Sequence, residues 1–199
     1  MKHLITAVLL AVSAAGLSAC GGAVFRPVQF AFEDRSSDRQ IEDNQIDLAI
    51  LDRLRKVDAS LLLDTDVDVW EGRVMLTGTV DSKTKKVKIE QIAQQDGRII
   101  SLYNALQVTS IADVEARSTA RKAADKAGQS LSDFWVEQKI GAHLLGTKDV
   151  AAVNYRWRCV YGQVYVIGRA STSQEKQRVL EVIRTTTGVE RVTEYIWVK

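Results

Sequence analysis

The sequence predicts an α+β chain built from two tandem helix–strand–strand–helix–strand modules, each a three-stranded mixed sheet with two helices on one face. Three observations predict it. Two segments overlay at an offset of 90 residues, bringing Gly72 onto Gly162 and Gly78 onto Gly168. Within each, apolar residues first recur at every fourth position, the period of one helix face, and then at every second, the period of a half-buried strand. Glycines fall where one pattern gives way to the next, as turns and helix ends require.

Taken in order, residues 1–19 read as a signal peptide. Met1-Lys2-His3 is a short basic start, and the apolar run Leu4–Ala15 is too short to span a bilayer. Leu17-Ser18-Ala19-Cys20 follows and resembles the lipobox of bacterial lipoproteins. That resemblance implies acylation of the Cys20 thiol and of the new amino terminus, with palmitate-type chains as the membrane anchor. Two or more chains suffice for stable anchoring. The alternative from the residues alone is an ordinary signal cut nearby, with Cys20 incidental. Gly21, where an Asp resembles an inner-membrane retention signal, points to the outer membrane and its periplasmic face.

Lys and Arg number 27 against 25 Asp and Glu; loss of residues 1–19 removes Lys2 alone and leaves 26 against 25. So balanced a chain has no global field for polyanions, and no nucleic-acid partner is expected. With Cys20 lipidated, Cys159 is the one thiol left, so an intramolecular disulfide is excluded and packed cores must supply stability.

Residues 20–42, the lipidated Cys and a stretch holding Pro27 and Glu33-Asp34-Arg35-Ser36-Ser37-Asp38, read as a tether. The first module is expected at 43–109, a linker at 110–130 and the second module at 131–199. Ile46, Ile50 and Leu54 of the first opening helix answer to Val136, Ile140 and Leu144 of the second. Val67 and Val69 alternate with Asp66 and Asp68, as Trp157 and Cys159 do with Arg156 and Arg158. Gly72 and Gly162 sit in the hairpin turns before Val74-Leu76 and Val164-Val166. Second helices are expected at about Ser82–Gln95 and Thr172–Thr187, ending near Gly97 and Gly188. Leu102, Asn104, Leu106 and Val108 match Val192, Glu194, Ile196 and Val198 on the last strands.

This order, with its hairpin glycine, its glycine closing the next strand and its alternating Val-x-Asn-x-Leu-x-Val-like last strand, resembles the BON domain. The resemblance covers about 43–109 and 131–199. With the signal, lipobox and tether, the chain looks like the dual-BON outer-membrane lipoproteins. That implies a role in outer-membrane integrity and binding of anionic phospholipid, phosphatidylglycerol or cardiolipin, through the second repeat.

The copies differ on the second opening helix. Phe134 and Trp135 stand where the first copy has Asn44 and Gln45, and with Leu131, Ala142 and Leu145 they form an apolar arc away from the core stripe. Trp135 matches the tryptophan that enters the membrane interface in lipid-binding relatives, and an indole suits that boundary. Leu131, Phe134, Trp135 and Lys139 are therefore the expected lipid-contact residues. From the residues alone, Phe134 and Trp135 equally suit packing against the linker or the first module. Arg117, Arg121 and Lys122 are candidate basic help.

The open sheet faces also differ. Arg156, Arg158, Tyr165, Ile167, Tyr195 and Trp197 stand where the first copy has Asp66, Asp68, Met75, Thr77, Ala105 and Gln107, and the opposed charges lead us to expect the two faces to pack on one another, the alternative being a surface for a partner protein. Cys159 aligns with Val69 and reads as a small core hydrophobe. Nothing points to catalysis, a cofactor or a metal. His143 is the lone histidine of the mature chain, and there is no Cys-x-x-Cys, phosphate loop or nucleophile elbow. The alternative to a lipid-binding protein is a lipid-anchored adaptor for envelope proteins, docking through the basic run Lys83, Lys85, Lys86 and Lys88.

Overall fold

The computed structural model describes residues 33–62, 65–110, 112–113 and 132–199. The expected signal peptide, Cys20, Leu131, Arg117, Arg121 and Lys122 lie outside the described residues.

Helix α1 spans Ser37–Val57. It starts inside the stretch assigned to a tether, because Ser36 caps it, accepting from the Arg39 amide, and Asp38 sits favourably in its first turn. Strands β1 (Thr65–Trp70) and β2 (Arg73–Val80) pair antiparallel. Helix α2 (Lys83–Ala93) is capped by Ser82. The last strand lies parallel to β2 in two pieces, β3 (Ser101–Asn104) and β4 (Gln107–Val108). It breaks where the Ala105 amide donates to both Leu76 O and Tyr103 O.

The second module repeats this order as α3 (Asp133–Gly146), β5 (Tyr155–Val160), β6 (Gln163–Ala170), α4 (Ser173–Thr185) and an unbroken β7 (Arg191–Val198). Its sheet order is β5-β6-β7, with one antiparallel and one parallel pairing. Short 3₁₀ turns at Ala59–Leu62 and Ala152–Asn154, absent from the sequence reading, lead into β1 and β5.

The hairpins show why a glycine recurs. Trp70 pairs with Arg73 and Val160 with Gln163, leaving two-residue loops, Glu71-Gly72 and Tyr161-Gly162. All four residues have positive φ (48°, 72°, 53° and 77°), the geometry of a type I′ turn that matches strand twist. Gly188 also has positive φ, at 99°, past α4. Gly97 does not play the same part: α2 is capped at Gln94, three residues earlier.

Three apolar cores follow. Ile46, Ile50 and Leu54 pack with Val74, Leu76, Ile89 and Leu106 between the first helices and their sheet. Val136, Ile140 and Leu144 pack with Cys159, Val164, Val166, Val179 and Ile183 in the second module. The third core lies between the sheets, where Trp70, Met75 and Ala105 meet Val160, Tyr165 and Ile167, flanked by Tyr103, Tyr195 and Trp197. The layers are therefore helices, sheet, sheet, helices.

Candidate functional site

Helix α3 has two apolar sides for one core. Ser132 caps it, accepting from the Trp135 amide at 3.4 Å. At roughly 100° per residue, Val136, Ile140 and Leu144 share one side, where they are fully buried. Phe134, Gln138, Ala142, Leu145 and Trp135 share the other, with Lys139 at its margin. Phe134 and Trp135 are each 51% exposed and Leu145 67%. The two aromatic rings meet edge to face, their centroids 5.6 Å apart. Lys139 is half-buried.

Both carboxylates of α3 are turned away from this arc and occupied. Asp133 accepts from the Tyr161 amide at 2.8 Å and the Gly162 amide at 3.0 Å, at the tip of the β5–β6 hairpin. It also accepts from the Cys159 thiol at 3.0 Å. Glu137 accepts from the Cys159 amide at 2.7 Å, and its main-chain carbonyl accepts from Trp157 Nε1 at 3.1 Å. Burial pushes the Glu137 carboxyl up to about 7, with the Cys159 hydrogen bond and the Arg158 charge pulling down against it. Burial, then Asp133, raise the Cys159 thiol well above its ordinary range, so it is held as a neutral thiol in the core.

In the sequence Asp133 and Glu137 are two acidic residues on the same helix as Lys139. Folded, they rivet α3 to β5 and leave the exposed arc without an acidic group. The signal was available: Asp43 precedes the first core stripe at the matching position, and it too accepts from its hairpin amides, Glu71 and Gly72.

His143, exposed on the same helix, places Nδ1 3.1 Å from Thr186 Oγ1. The equivalent pair in the first module is Arg53 and Asp96, joined at 3.1 Å. His143 thus ties its helix to the end of α4. Among the described residues no group of three or more His, Cys, Asp or Glu could hold a metal ion.

The sheet faces meet with a charge pattern narrower than the sequence implied. Arg158 Nε donates to Asp68 at 2.8 Å. Arg156 pairs instead with Glu33, and its guanidinium lies 5.1 Å from the Trp70 ring centre, while Asp66 is exposed. Residues 33–35, read as tether, form part of this seam. Arg35 bridges Glu33 and Asp43 and lies 4.2 Å over Trp70; Asp34 bonds Asn154; Arg169 reaches Glu71 at 2.6 Å. Two of the four lysines of the basic run are engaged locally, Lys86 with Leu106 O and Lys85 with Asp81.

The model of the BON domain matches this chain twice, at residues 42–110 and 132–199. The chain belongs to the BON domain family. BON domains are associated with phospholipid binding and envelope stress, and the family is one of binding modules rather than catalysts. An uncharacterized protein in the gshII 5′ region of Anaplasma centrale is 30% identical over 155 residues, 77% of this chain and 95% of that protein. A 21 kDa hemolysin of Actinobacillus pleuropneumoniae is 25% identical over 173 residues, 86% of this chain and 79% of that protein. Two structures of CdsD, a structural protein of the type III secretion system of Chlamydia trachomatis, align with TM-scores of 0.31 and 0.30. They share 11% and 12% identity with it, over 76% and 75% of this chain and 90% and 94% of theirs. Among the described residues no helix is long and apolar enough to cross a membrane.

Proposed function

We propose that this dual-BON protein is a lipoprotein, anchored through Cys20 at the periplasmic face of the outer membrane, which binds anionic phospholipid through its second module and supports outer-membrane integrity. One observation supports this most: α3 offers Phe134, Trp135 and Leu145 to solvent on an arc from which its own two carboxylates are withdrawn. Such a face suits the headgroup boundary, where the indole body leaves water and its N–H stays hydrated. Lys139, at the edge of the arc, adds attraction for anionic headgroups on the order of 1 kcal/mol.

The test is cosedimentation of the mature protein carrying Cys20→Ser on phosphatidylcholine vesicles with and without phosphatidylglycerol or cardiolipin. Binding should require the anionic lipid, and Trp135→Ala should weaken it roughly tenfold, the equivalent of losing about 1.5 kcal/mol of buried apolar surface. A folded wild type that ignores every vesicle overturns the reading and leaves the envelope-adaptor role.

A further inference from the structure

The seam between the modules has the logic of a symmetric dimer written into one chain. Asp68 lies opposite Met75 in the β1–β2 register, and Arg158 lies opposite Tyr165 in the β5–β6 register, so the two residues occupy the same position of the repeat. They also touch each other, at 2.8 Å and 3.2 Å through two guanidinium nitrogens. A position that faces its own equivalent marks a two-fold axis. Contacts away from the axis are reciprocated. Trp197 of the second module stacks on Arg73 of the first hairpin at 4.0 Å. Its equivalent, Gln107, reaches across to the second hairpin, donating to Val160 O at 3.0 Å and Tyr165 Oη at 3.2 Å. Tyr103 stacks on Tyr195 at 4.2 Å, one position either side of Asn104 and Glu194 in the repeat.

We propose that the Asp68–Arg158 pair on this axis selects the partner of each sheet face, so that the face of one module accepts the unlike module and rejects a second copy of itself. The apolar part of the seam is drawn from matched positions of one architecture, Trp70 and Val160, Met75 and Tyr165, and Ala105 and Tyr195. Charge on the axis discriminates strongly. Two first modules set face to face would press Asp68 against Asp68, with Asp66 adjacent. Two second modules would press Arg158 against Arg158, with Arg156 adjacent. Like charges half-buried across a seam are a repulsive element against the wrong partner, and the unlike pair satisfies both groups. Asp68 is 5% exposed, so it depends on this partner rather than on water. The two faces thereby close on each other within one chain instead of recruiting further copies.

The experiment uses the whole mature chain with Cys20→Ser, comparing Asp68→Arg, Arg158→Asp and the double exchange Asp68→Arg/Arg158→Asp by small-angle scattering and far-ultraviolet circular dichroism. Each single reversal should keep the secondary structure but raise the radius of gyration as the faces separate. The double exchange should restore the wild-type radius. Single variants as compact as wild type overturn the proposal, and so does a double variant as extended as the singles. Should a single reversal fail to fold, the double exchange alone decides: compact and folded supports the proposal, unfolded or extended overturns it.

Discussion

Asp43 and Asp133 occupy equivalent positions and each accepts both amides of a two-residue hairpin turn, Glu71 and Gly72 in one module and Tyr161 and Gly162 in the other. A type I′ turn points these N–H groups away from the ladder, and a carboxylate from the neighbouring helix satisfies them. Removing the acceptor strands partly buried donors, which costs about 1–3 kcal/mol for each. Asp43→Ala and Asp133→Ala should each lower unfolding stability in urea by roughly 2–4 kcal/mol. Asp43→Ala should cost more, because Asp43 is 2% exposed and also holds Arg35. Losses under about 0.5 kcal/mol, the size of an ordinary surface substitution, would contradict this role.

Two glycines that look alike in the repeat should answer differently to alanine. A methyl at Gly168, where φ is 157°, would overlap the main-chain oxygen of Asn154 and lie 2.8 Å from Tyr155 Cδ1, and neither main chain nor packed ring can withdraw. Gly168→Ala should cost roughly 3 kcal/mol or more. At Gly72 the nearest atoms are the side chain of Ile100, at 3.1 Å, itself 60% exposed and free to turn aside, and the main-chain oxygen of Arg98, at 3.3 Å, which has to give by only a few tenths of an ångström. Gly72→Ala should then cost chiefly its left-handed backbone, about 1–2 kcal/mol. Thermal unfolding of both variants checks the order, and equal losses would refute it.

The Cys159 thiol is buried, donates to Asp133 and has its ionisation suppressed by both. Only the thiolate reacts at a useful rate. In protein carrying Cys20→Ser, thiol reagents should therefore label Cys159 no faster than the second module opens, and labelling should accelerate with urea in step with unfolding. Rapid modification of the folded protein at neutral pH would refute this.

Much of the fold was legible because it depends on period and on glycine. Stripes such as Val136-Ile140-Leu144 and alternations such as Val67-Val69 report which face is buried wherever they occur in a fold. The hairpin glycines report a backbone conformation few other residues adopt. What escaped was pairing at a distance. Nothing local in Glu33 or Arg35 says that they fold back onto Trp70 and Arg156, so a compact strap read as tether. Asp66 and Asp68 look alike in the sequence, because strand alternation only assigns a face and cannot say which of two same-face residues meets an equivalent across the seam. On α3 the apolar arc was visible, but the withdrawal of Asp133 and Glu137 was not, since it follows from hydrogen bonds to β5.

Glu137 makes the stability of the second module sensitive to pH. Burial raises its carboxyl from an ordinary 4.5 to about 7, opposed by the Cys159 amide and by Arg158, and reinforced by Asp66 and Asp68. The folded state therefore holds this proton more tightly than the unfolded chain does. The stability so conferred is fully present below about 4.5 and is lost as pH rises through about 7. Glu137→Gln keeps an oxygen for the Cys159 amide but cannot ionise. Relative to that variant, wild type should lose on the order of 2 kcal/mol between pH 5 and pH 8. Urea unfolding of both proteins at each pH measures the difference directly, and a gap that stays constant would mean that Glu137 titrates as it does in water.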